Sequence, residues 1–71
     1  MTVEKAAAWR VHLAGRFSKA ETESRAKACG AFESGYAGTL YFAFRDATEA
    51  RRFAAASERN NPSAAVIVVN A

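Results

Sequence analysis

The stretch "GTLYFAFRDATEARRF", residues 38–53, decides how this chain is read. Its first half alternates. Leu40, Phe42 and Phe44 fall on one side, and Thr39, Tyr41, Ala43 and Arg45 on the other. Period-two alternation of aromatic and aliphatic residues is the pattern of a half-buried strand, here residues 39–45. The second half changes period. Asp46 can cap a helix, with Glu49 three residues on, as in a capping box. Ala47, Ala50, Phe53, Ala54 and Ser57 then recur at helical spacing. Glu49, Arg51, Arg52, Glu58 and Arg59 lie mostly off that stripe and read as a solvated face first and a contact surface second.

Working outward, "AWRVHLA" (residues 8–14) alternates too, with Trp9, Val11 and Leu13 inward and Arg10 and His12 outward. Ser18 and Glu21 make another capping-box pattern. They open a helix from Lys19 to Cys29 with a weak inward stripe of Ala20, Ser24 and Ala28, and Gly30 stops it. In "AFESGYAG" (residues 31–38) the spacing suggests a short strand at 31–34, with Gly35 and Gly38 bracketing a turn. Asn60, Asn61 and Pro62 end the second helix. "AAVIVVN" (residues 64–70) is a continuous apolar run of strand length. The order β-α-β-β-α-β predicts an α+β, ferredoxin-like sandwich: an antiparallel sheet with two helices on one face and the first and third strands central.

The bulk properties fit one compact domain over residues 1–71. The chain has 71 residues, of which 51% are apolar, and a net charge of +3. A chain this short buries only about 60% of its unfolded surface, which leaves little room for a deep pocket. Its mild basicity permits a polyanionic partner without requiring one. Cys29, the single cysteine, has no disulfide partner and suits a reducing cytoplasm, where it reads as a small packing residue. No run approaches the length of a membrane span, so no membrane partner is expected. His12 has no second His or Cys at ligand spacing, so neither a metal nor any other cofactor is expected.

Residues 38–54 resemble the third strand and second helix of an RNA recognition motif. Gly38, Tyr41, Phe42, Phe44, Asp46, Glu49 and Ala50 fall in the register of that family, and a looser likeness runs from Trp9 to Val69. The resemblance implies a nucleic-acid-binding open sheet face. In that family the positions of Thr39 and Tyr41 hold stacking rings and that of Ala37 a basic residue. This chain keeps only the Tyr41 ring and sets Arg10 at the first-strand stacking position. The core half of the signature (Leu40, Phe42, Phe44, Ala50) is complete.

The open face expected from alternation carries the candidate partner-binding residues Arg10, His12, Tyr41, Arg45, Val66 and Val68. Arg51 and Arg52 form a weaker candidate on the helix face. Tyr and Arg beside small apolar groups suit a protein hot spot as well as a nucleic-acid face. If the last strand lies at the sheet edge, its apolar character invites strand addition or a homodimer.

Catalysis finds little footing. Gly15 and Arg16 before a helix N-terminus resemble the anion loop of acylphosphatases, but the loop is short and no asparagine lies on the second strand pair to place a water. No nucleophile–base set is evident and no catalytic residue is assigned. By overall type the chain resembles the small stand-alone inhibitors that phages and mobile elements encode, the anti-CRISPR proteins. That class shares no motif, so no residue is carried over. The resemblance implies a non-enzymatic protein in the cytoplasm of a bacterial host. It would bind a protein or ribonucleoprotein complex of the CRISPR system and block nucleic-acid access, with or without direct RNA contact.

Overall fold

The computed structural model describes residues 8–70. Six elements follow in the expected order: β1 (Trp9–Ala14), α1 (Lys19–Ala28), β2 (Glu33–Ala37), β3 (Thr39–Phe44), α2 (Ala47–Asn60) and β4 (Ala65–Asn70). The strands form one antiparallel sheet in the order β2-β3-β1-β4, the ferredoxin-like arrangement, with both helices on one face.

Register explains which residues are core. Val11 lies opposite Phe42 on β3 and Val68 on β4, and Leu13 lies opposite Leu40 and Val66. Partners directly opposite share a face. One continuous side therefore carries Phe42, Val11 and Val68 in one row and Leu40, Leu13 and Val66 in the next. Helix α2 covers these rows with Ala50, Phe53, Ala54 and Ser57, all buried. The small residues let the helix come close and Phe53 fills the gap. Its ring sits 5.4 Å from the Phe42 ring, edge-on, and 5.4 Å from that of Phe44. Both distances lie in the favoured range for aromatic pairs.

Both helices begin on side-chain caps. Ser18 Oγ accepts from the Glu21 amide at 3.3 Å, and Asp46 Oδ1 accepts from the Thr48 amide at 3.1 Å. Glu49, expected to close the second capping box, is turned instead toward the end of α1. A Cβ at Gly30 would lie 2.7 Å from its Oε2. Gly30 has a φ of 107°, which also favours glycine.

Three expectations are corrected. The second strand is Glu33–Ala37 rather than 31–34, and Gly35 lies within it. The turn is made at Gly38 alone, where φ is 84° and Ala37 pairs with Thr39. The inward stripe of α1 is Thr22 and Ala26, whereas Ala20, Ser24 and Ala28 are exposed. With only small and charged residues, α1 offers two alanine-containing faces of nearly equal polarity, and packing chooses between them. Its C-cap is Cys29, half-buried against the core.

The third correction concerns β4. Val66 and Val68 belong to the helix side, packed on the core, and Ile67 and Val69 face the open side. A run of four branched apolar residues has no period of its own. Pairing with β1 settles which members turn inward.

Two stability changes follow. Phe53→Ala removes the ring that Phe42 and Phe44 pack on, at a cost of about 3–5 kcal/mol. A small domain is stable by only about 5–10 kcal/mol, so urea denaturation followed by circular dichroism should show most of the stability lost. The Thr22 hydroxyl is fully buried and has no hydrogen-bond partner among the described residues. The isosteric Thr22→Val should raise the urea midpoint, by about 1 kcal/mol of stability.

Candidate functional site

The face away from the helices is built by the same register. One row across the sheet reads Glu33, Ala43, Arg10, Val69, and the next reads Gly35, Tyr41, His12, Ile67. Arg10, His12 and Tyr41 are thus brought together, as the alternation of β1 and β3 predicts.

Their contacts are specific. Tyr41 leans from β3 over β2, where Gly35 leaves room for it. A Cβ at Gly35 would lie 2.9 Å from the Tyr41 hydroxyl and 3.1 Å from the ring carbon bearing it. The Arg10 guanidinium lies over the same ring, 4.4 Å from its centroid, a cation–π arrangement. The His12 ring is 5.4 Å away, tilted by 40°. On its other side His12 Nδ1 shares a hydrogen bond of 2.9 Å with Thr39 Oγ1. Tyr41 is consequently only 8% exposed, although no helix covers this face. An aromatic ring held between a glycine and a guanidinium has little free surface left for a base to stack on.

What the face does present lies on the β1–β4 side. Ile67 is 59% exposed and Val69 41%. They flank His12 and Arg10 directly. The result is an aliphatic strip bordered by a guanidinium whose flat face is already occupied and by an imidazole tied to Thr39. Such a surface is suited to an apolar side chain next to a carboxylate or phosphate.

The remaining candidates stand apart from this cluster. Arg45 is exposed beyond the end of β3, and its guanidinium lies 4.4 Å from the Phe32 ring centroid. Arg51 lies over Trp9 at 5.8 Å, and Arg52 is exposed on α2. Val66 and Val68 face the core. Ile67, Val69 and Gly35 are the residues that sequence reasoning missed. Had β1 been used to set the parity of β4, the first two would have emerged. Gly35 looks like a turn residue until the tyrosine above it is seen.

A cleft of about 330 Å³ lies between α1 and β2, with Glu23, Lys27, Phe32 and Ser34 around Phe42. Among the described residues, no three His, Cys, Asp or Glu side chains are grouped to hold a metal. None of the described helices is long and apolar enough to cross a membrane. Compared with protein-family models, curated proteins and solved structures, the chain matches none.

The cover on Tyr41 can be removed from below. Gly35→Ala introduces a methyl group into the space held by the phenol. The ring should swing outward, with a stability loss of about 1–3 kcal/mol. Loss of nuclear Overhauser contacts between Tyr41 and residue 35, together with faster iodination of Tyr41, would report the movement. An unmoved ring would mean that β2 yields instead.

Proposed function

We propose that this chain is a non-enzymatic binding protein that docks a protein surface with the β1–β4 half of its open sheet face. The observation that carries the reading is the exposed pair Ile67 and Val69 beside Arg10. Contiguous exposed aliphatic side chains on a small domain mark contact surfaces. An arginine at their border supplies orientation through a charged acceptor on the partner. The specific form of the proposal is an inhibitor of the anti-CRISPR type that engages a bacterial CRISPR ribonucleoprotein complex and obstructs nucleic-acid access. Small size and mild positive charge are compatible with that form, because a basic domain is attracted to acidic protein patches of such a complex or to its RNA.

Direct RNA recognition is the second reading, favoured by the Gly38–Ala54 likeness and by the basic side chains on the face. Against it stands the cover on Tyr41. It would require Arg10 to lift off the ring and stack or pair with nucleotides itself.

Affinity capture from a bacterial lysate, with and without nuclease, separates the two. The docking reading expects a defined protein assembly that survives nuclease. Its recovery should fall about tenfold or more with Arg10→Glu or Val69→Lys, the effect of removing a hot spot. Recovery abolished by nuclease, or binding to free RNA that falls steeply as salt is raised, would replace docking with RNA recognition. A captured protein assembly without CRISPR components would retain docking and discard the anti-CRISPR form.

A further inference from the structure

The two edges of the sheet are not alike. β2 is short, opens on Glu33, contains Gly35, and is flanked by α1, whose Lys19 ammonium lies 5.3 Å from the Tyr36 ring centroid. Charge on an edge strand is a common way to keep it from recruiting another strand, and a glycine inside a strand weakens it. A helix packs near each edge strand, α1 at β2 and α2 on the core side of β4, but β4 has neither charge nor glycine. It is six residues long, "AVIVVN", without charge, proline or glycine. Its pairing with β1 runs without a bulge through six consecutive pairs, from Trp9↔Asn70 to Ala14↔Ala65. A straight, uncharged, β-branched edge of about 20 Å offers its outer amides and carbonyls to any extended chain that fits.

We infer that β4 pairs with β4 of a second copy of this chain, antiparallel, about a two-fold axis through Ile67, to give a continuous eight-stranded sheet. The strand's own chemistry selects the occupant. An edge with no charge gives a charged strand nothing to pair with, so its complement is another uncharged, branched strand, and β4 is such a strand. With Ile67 on the axis, Ile67 faces its own copy, Val66 faces Val68, and Ala65 faces Val69. Every pair joins apolar residues, and each pair stays on one side of the sheet, as cross-strand pairing requires. A two-fold seam is also isologous, so it closes after two copies and forms no fibre. Arg10 stands one strand back from the seam, opposite Val69, so the arginines of the two copies do not meet there. All four helices lie on the same face, and the two open faces join into one.

This inference rests on the strand edge and not on the docking proposal, and its test requires no partner. Sedimentation equilibrium of the full chain should show a concentration-dependent doubling of mass. Ile67→Lys, which sets two ammonium groups face to face on the axis, should return the mass to one chain, while Ile67→Val should keep the dimer. Ile67 is largely exposed, so neither change disturbs the core; circular dichroism confirms that each variant is folded. Register is read independently in a Cys29→Ser background. Ile67→Cys should oxidise to a covalent dimer at least several-fold faster than Val69→Cys, because only residue 67 meets its own copy. A wild-type chain that stays monomeric at millimolar concentration overturns the inference. So does a dimer that survives Ile67→Lys, or cross-linking that is no faster at 67 than at 69.

Discussion

The pairing of β1 with β3 is the constraint on which the rest depends. With Val11 opposite Phe42 and Leu13 opposite Leu40, the large aliphatic side chains and the phenylalanines of the two central strands turn to the helices. A slip of one residue would send them all to the other face. The same register places Arg10 and His12 around Tyr41. Core and contact face are thus two sides of one decision. The aromatic alternation of residues 39–44 serves folding through its even positions and the open face through its odd ones.

How much was legible follows from where the sequence carries contrast. β1, β3 and α2 are clear because polar and apolar residues alternate at the right period, and the caps at Ser18 and Asp46 mark the helix starts. Elsewhere contrast fails. In β4, Val66 to Val69 are all branched and apolar, so inward and outward members look the same until Leu13 and Val11 claim Val66 and Val68. In α1, alanines occur on opposite faces, and the structure buries Ala26 with Thr22. Gly35 carries the signal of a turn, because glycine serves turns more often than strands, yet it lies within β2. Its role here is spatial, to make room for a phenol that comes from a neighbouring strand.

The contact face shows a similar limit. Its members Arg10, His12 and Tyr41 are visible from alternation, but their mutual engagement is not. Alternation says which way a side chain leaves the backbone. It does not say that a guanidinium will lie on a ring, or that a ring expected to be free will be only 8% exposed. That difference changes the chemistry on offer from aromatic stacking to aliphatic contact at Ile67 and Val69.

The pairing of Trp9 with Asn70 bears on how the chain is made. The second neighbour of the first strand, β4, leaves the ribosome after the other three strands of this sheet. Until residues 65–70 emerge, β1 has only β3 beside it, and its other edge, with the apolar side chains of Val11 and Leu13, stays open. Domains complete their cores only when all of their strands are available, and unpaired edges are the hazard of that interval. Closure between segments this distant in sequence is also the slow kind, since the whole intervening chain must be ordered first. The closing strand itself, with four consecutive β-branched residues from Val66 to Val69, carries low helix propensity and so little competing local structure to shed before it docks.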